Sequence, residues 1–155
     1  MRTISIINLK GGVGKTTTAI NMAAILAELG KTVLCIDADP QANLTQFYGF
    51  RDPEKTMENT LAQLLNAYES FRSEYASDYV YETPAPGISL VPASIDLINA
   101  DIASVKRGGS VRAIQDLIDN LNEDAWIEAR VPEDQVDAFD FVLIDCPPSF
   151  TAASV

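Results

Sequence analysis

Residues 3–17 read Thr3-Ile4-Ser5-Ile6-Ile7-Asn8-Leu9-Lys10-Gly11-Gly12-Val13-Gly14-Lys15-Thr16-Thr17, and the fold is decided in this stretch. Thr3 to Ile7 is an apolar, β-branched run, which predicts a strand. The glycines let the backbone turn tightly, so that successive N–H groups of Gly11, Gly12, Val13 and Gly14 can point at phosphate oxygens. Lys15 opens a helix whose positive end faces the same anion. Its ammonium is a point charge for β- and γ-phosphates, the Thr16 hydroxyl can ligate Mg²⁺, and Thr17 closes the cradle 11–17. The strict pattern G-x-x-x-x-G-K-[ST] is not met, because Leu9 stands where its first glycine would be. The chain has instead a second lysine, Lys10, at the loop entrance. The plain alternative is a glycine-rich turn without a ligand. Placement of Gly-Lys-Thr between a strand and a helix argues against it.

Working outward, helix one is predicted over Lys15 to Leu29, with Ile20, Ala23, Ala24, Leu26, Ala27 and Leu29 as its buried face and Gly30 as its stop signal. Thr32 to Ile36 is a second strand, apolar throughout as expected of a strand buried on both faces, and it runs into Asp37-Ala38-Asp39-Pro40. Glu58 to Tyr68 has helical spacing of Leu61, Leu64 and Leu65. Ile88 to Val91 is a third strand, and helical stretches follow near Ser94–Val105 and Ser110–Leu121, separated by Gly108-Gly109. Phe139 to Ile144 is a fourth apolar strand ending in Asp145. Segments 70–86, acidic and tyrosine-rich, and 122–137, acidic and interrupted by Pro132, read as surface insertions in one domain, 1–155. Alternating strands and helices predict an α/β fold with a mostly parallel sheet flanked by helices. Ligands in such sheets bind beyond the carboxyl ends of the strands. Asp37, Asp39 and Asp145 all fall there, on the same edge as the glycine loop.

Composition narrows the classes. With 155 residues, 47% of them hydrophobic, the chain suffices for one core. No apolar run is long enough to cross a membrane, and the strand beginning at Thr3 leaves no room for a secretory leader, so a cytoplasmic location is expected. Cys35 and Cys146 are the only cysteines and there is no histidine, so buried thiols are expected rather than a disulfide or zinc site. A net charge of −11 opposes nonspecific binding to DNA or to anionic lipid. Lys106-Arg107 with Arg112 is the one small basic patch, read as a solvated loop.

The string Lys-Gly-Gly-Val-Gly-Lys-Thr-Thr, residues 10–17, resembles the deviant Walker A motif of the ParA/MinD family of P-loop ATPases. That resemblance implies ATP and Mg²⁺ as cofactors. Asp145, at the end of Phe141-Val142-Leu143-Ile144, has the form of the Walker B acid that holds Mg²⁺, usually through water. Asp37-Ala38-Asp39-Pro40-Gln41-Ala42-Asn43 resembles the family's switch I segment, in which Asp39 would position the attacking water and Asp37 would support the Mg²⁺ shell. Asp145-Cys146-Pro147-Pro148-Ser149 resembles switch II. Lys10 matches the signature lysine that reaches across a nucleotide-sandwich dimer to the partner's phosphates. The motifs are closer to the ParA/Soj chromosome- and plasmid-partitioning branch than to MinD. They imply an ATP-dependent homodimer, nonspecific DNA and a ParB-like stimulator as partners, and no membrane. Such proteins continue well past the Asp-Cys-Pro-Pro-Ser string, so the chain is expected to hold the phosphate half of the site and to be truncated at its C-terminal side. A non-catalytic interaction module, a MinD-like regulator and a small-molecule ligase are the alternatives.

Overall fold

The computed structural model describes residues 1–67, 73–100, 113–129 and 138–148. The basic patch at 106–112, the Gly108-Gly109 breaker and Ser149 lie outside them. The strands are β1 (Arg2–Ile6), β2 (Val33–Asp37), β3 (Tyr81–Glu82), β4 (Ile88–Val91) and β5 (Phe141–Asp145). They form one sheet in the order β1-β5-β2-β4-β3, in which only β3 runs antiparallel. Non-sequential neighbours in a parallel sheet require crossovers, and helices supply them. These are α1 (Lys15–Glu28), α2 (Asn43–Phe47), α3 (Pro53–Thr56), α4 (Leu61–Ala67) and α5 (Ala113–Ala129).

Both faces of the central strands are covered, which is why β2 is buried at every position and shows no polar alternation. Val33, Cys35, Ile88, Leu90 and Leu143 share one face with Ala19 and Ala23 of α1 and with Leu44 and Tyr48. Leu34, Ile36, Val91, Val142 and Ile144 share the other with Leu61, Leu64, Leu117 and Ile118. Leu143 stands level with both Ile4 and Cys35 in the strand register and is fully buried. Leu143→Ala is expected to cost about 3 kcal/mol of stability through lost transfer energy and the cavity left behind. A urea titration checks this.

The buried face of α1 differs from the predicted one. Ala19 and Ala23 lie flush on the sheet, with Ile20, Met22, Leu26 and Ala27 half-buried around them. Ala24 is exposed, one helical step round from Ala23. Leu29 is 71% exposed, because it caps the helix rather than belonging to it. Gly30, at φ 77°, closes the helix by donating to the Ala27 carbonyl, and Lys31 donates to Leu26.

The predicted helix 58–68 begins later, at Leu61. Thr60 is its cap: the Thr60 hydroxyl accepts from the Ala62 N–H, while Gln63 Oε1 reaches back to the Thr60 N–H at 3.2 Å. That reciprocal pairing fixes the start and leaves Glu58 and Asn59 outside. Segment 70–86 does more than cover surface. Tyr81 and Glu82 add the edge strand β3, and Ala76 and Tyr79 are buried in the core. The Tyr81 hydroxyl accepts from the Asn59 N–H. Helical structure continues past Leu121 to Ala129, since no helix breaker intervenes before Pro132, and 130–137 lie outside the described residues. Of the helix predicted over 94–105, a turn at 97–100 is described.

At the far end of the sheet, Asp140 pins β5 to β2. Its carboxylate accepts from the Thr32 N–H, the Thr32 hydroxyl and the Lys31 ammonium, which hold the carboxyl below its usual range, the Thr32 N–H most of all. At the other side β1 pairs only with β5 among the described residues, and Thr3 and Ser5 are exposed.

Candidate phosphate and metal site

β1, β5 and β2 end level with one another. Ile6 pairs with Asp145, and Asp145 in turn pairs with Asp37. The loop leaving β1 therefore emerges beside both aspartates. Asn8 starts the turn by accepting the Lys10 N–H on its side chain at 2.9 Å. Gly12 and Gly14 adopt φ of 70° and 88°, a region closed in practice to side chains. Around Gly11, Gly12 and Gly14 a Cβ would meet no atom within 4 Å, so the space beside these glycines is open and their backbone conformation rather than crowding calls for glycine at 12 and 14.

Gly14 is the N-cap of α1, with no side-chain cap and no acidic residue in the first turn. The first helical N–H groups are thus left for an outside acceptor, which a phosphate provides. The Thr18 hydroxyl turns back to the Gly14 carbonyl at 2.8 Å. Lys15 and Thr16 are half-buried at the helix start, whereas Lys10 is exposed. Neither lysine joins a salt bridge among the described residues.

Asp145 is 1% exposed, and neither carboxylate oxygen has a hydrogen-bond partner among the described residues. Burial pushes its carboxyl up. The nearby Thr16 hydroxyl draws it back, the Asp39 charge adds to the rise, and Lys15 opposes it. Thr16, Lys15 and Asp39 are therefore each close enough to act on Asp145. A buried carboxylate without partners beside a threonine hydroxyl is a donor set that suits Mg²⁺, which keeps most of its shell as water and phosphate oxygen. Among the described residues no group of three His, Cys, Asp or Glu could hold a metal, so the ion would have few protein ligands. Cys35 and Cys146 are both free and buried.

Asp37 is placed differently. It is wholly buried, and both of its oxygens are engaged: Oδ1 accepts from the Asp39 N–H, and Oδ2 from the N–H and hydroxyl of Thr45. Asp39 is half-buried and forms a turn of its own, accepting the Gln41 N–H on Oδ1 and the Ala42 N–H on its carbonyl. Ala42, at φ 53°, ψ 35°, is left-handed and leads into α2. Thr45 was not among the residues singled out from sequence. Its signal lies just beyond the switch-like string, and only the contacts expose it.

Desolvation lifts Asp37 to about 7, offset in part by the Thr45 and Asp39 hydrogen bonds. Its unfolded value is near the ordinary carboxylate one, so the folded state holds a proton that the unfolded state releases. Stability of the ligand-free chain in EDTA is therefore expected to fall as pH rises from about 4 to about 7, then level off. Asp145 acts in the same direction, so Asp145→Asn is expected to flatten the slope. Urea midpoints at several pH values check this. Stability that rises across the window would contradict it.

A mostly parallel sheet carrying a glycine loop at a helix start, with a lysine, a threonine and a buried aspartate on its carboxyl edge, is the arrangement of the P-loop fold. Residues 1–155 match the AAA domain family, and the chain belongs to it. It is 37% identical, over its whole length, to 51% of the chromosome partitioning protein ParA of Caulobacter vibrioides. It is 34% identical over 149 residues, 96% of the chain, to 49% of the chromosome-partitioning ATPase Soj of Treponema pallidum. Among solved structures, cobyrinic acid a,c-diamide synthase from Mycobacterium smegmatis, with bound ATP analog and magnesium, superposes with a TM-score of 0.79 at 31% identity, covering 99% of this chain and 54% of that one. The chain spans about half the length of the curated relatives it matches. No described helix is long and apolar enough to cross a membrane.

Proposed function

We propose that this chain is the phosphate- and magnesium-binding part of a ParA-type ATPase that works as a nucleotide-switched dimer in chromosome or plasmid partitioning. The observation that carries the reading is the buried, unpartnered Asp145 facing Thr16 and Lys15 at an uncapped helix start. In this reading Gly11 to Thr17 cradle the phosphates, Thr16 and Asp145 hold Mg²⁺, Asp37 supports that shell from behind, and Asp39 places the water. Lys10 serves the partner's phosphates. Mg²⁺, when bound, neutralises phosphate charge. The chain's own residues orient the nucleotide and exclude competing water.

DNA and a ParB-like stimulator are proposed partners of the longer protein. For this chain alone, a net charge of −11 weighs against DNA binding. The likeness to an amide synthase favours a second reading, a small-molecule ligase using the same phosphate site. The greater identity to ParA and Soj over nearly the whole chain favours partitioning.

The test is calorimetric titration with Mg·ATP, alongside the mass of the protein in solution with ATP and with ADP. Binding together with an ATP-dependent dimer supports the reading. A folded chain that binds no nucleotide overturns it for this chain.

A further inference from the structure

Thr45 lies at no predicted site, yet it joins three parts of the molecule. It is fully buried in α2. Its hydroxyl donates to Asp37 Oδ2 at 2.7 Å and its N–H donates to the same oxygen at 2.9 Å. The same hydroxyl accepts from the Ala93 N–H at 3.0 Å, 48 residues further along the chain. With its one proton committed to Asp37, the hydroxyl faces Ala93 as an acceptor, so the order of the chain is fixed. Asp37 Oδ1 in turn holds the Asp39 N–H at 3.1 Å. Beyond Ala93 the link continues: the Pro92 carbonyl accepts from the Leu61 N–H at 2.8 Å, and Ser94 Oγ lies 3.4 Å from Thr60 Oγ1. Two exposed isoleucines, Ile95 and Ile98, follow at once.

We infer that Thr45 is a positioning residue of the nucleotide site: through Asp37 it fixes the turn that carries Asp39, and through Ala93 it ties that turn to the segment 92–95. The inference rests on the nucleotide-site reading above. Among the described residues no other side chain of α2 is hydrogen-bonded to both Asp37 and Ala93. Tyr48 and Leu44 pack apolar surface against the sheet, which resists separation but leaves sliding and rotation free. The hydroxyl supplies the direction. Displacement of Asp39 by an incoming γ-phosphate would therefore reach the surface at Ile95 through three consecutive hydrogen bonds, Asp39 to Asp37, Asp37 to Thr45 and Thr45 to Ala93, and the short backbone stretch 93–95.

The experiment is amide hydrogen exchange, residue by residue, on the wild type, Thr45→Val and Thr45→Ser, with and without Mg²⁺ and a non-hydrolysable ATP analogue. Valine keeps the shape and removes both hydroxyl bonds, whereas serine keeps them. Without ligand, Thr45→Val is expected to speed exchange at Asp39 and Ala93 by about tenfold, with Leu143 unchanged and Thr45→Ser close to wild type. With nucleotide, the wild type is expected to gain protection at both Gly12–Thr16 and Ala93. Thr45→Val keeps the first gain and loses the second, and its turnover falls in kcat while KM holds. Unchanged exchange at Asp39 in Thr45→Val, or a serine variant as defective as the valine one, overturns the inference. If the wild-type loop gains no protection from nucleotide, the nucleotide reading fails, while the ligand-free comparison still decides the tie. Should Thr45→Val not fold, the wild type decides: Asp39, Thr45 and Ala93 must open with one common free energy, and unequal values overturn the inference.

Discussion

Lys10→Ala is expected to lower ATP turnover by about 10³–10⁵-fold while leaving Mg·ATP affinity within a few-fold of wild type. Lys10 is exposed at the loop entrance, makes no salt bridge among the described residues, and takes no part in the helix start that Lys15 occupies. Its neighbours Leu9 and Val13 are 59% and 43% exposed, so apolar surface flanks the charge on both sides. A second copy meeting this rim would cover the leucine and valine and carry the ammonium toward its partner's phosphates. A positive charge delivered in trans acts as an arginine finger does, on charge that develops only during transfer. Single-turnover hydrolysis beside light scattering separates the cases. Loss of both turnover and the ATP-dependent dimer supports the trans role. A monomeric wild type that hydrolyses ATP at full rate excludes it.

Lys15→Ala is expected to weaken Mg·ATP binding by at least about a hundredfold, a loss comparable to removing a preorganised donor from a charged site. Two effects add. The phosphates lose their fixed point charge at the helix start. The Asp145 carboxyl also loses a cation that draws it down, so a larger share of it is protonated and unable to serve a metal. The second effect gives the prediction a signature: the deficit should shrink as pH rises in excess Mg²⁺, because deprotonation restores the carboxylate but not the ammonium. Calorimetric titration with ATP and with ADP at two pH values reads both. Affinity equal to wild type would remove Lys15 from the site.

The glycine loop between a strand and a helix could be read from sequence because its signal is local: glycines, lysine and threonine sit within eight residues. The strand ends were nearly as plain, since apolar runs stop at Asp37 and Asp145. What sequence could not supply was the neighbour of each strand. Only the order β1-β5-β2-β4-β3 sets Asp37 and Asp145 side by side. Thr45 stayed hidden for the same reason, because its partner Ala93 is 48 residues away. In helix α1 hydrophobicity alone does not give burial, and Ala24 and Leu29 are exposed. The sheet accepts the two small alanines, Ala19 and Ala23, and leaves the leucine outside. In 70–86 the acids and tyrosines suggested solvent, but backbone pairing at Tyr81 and Glu82 and the packing of Ala76 and Tyr79 draw the segment inward.

The left-handed Ala42 gives the Asp39 turn a built-in bias. An L-residue there stands roughly 1 kcal/mol above its relaxed conformation, and it is kept so by burial and by the bonds from its N–H to Asp39 and from Gln46 to its carbonyl. Whenever those bonds let go, that energy is released. A closed turn is therefore about fivefold less populated than the same turn with a glycine at 42. The turn works against its own backbone, so its closure reports how firmly something else is holding it, which is what a sensor of bound phosphate requires.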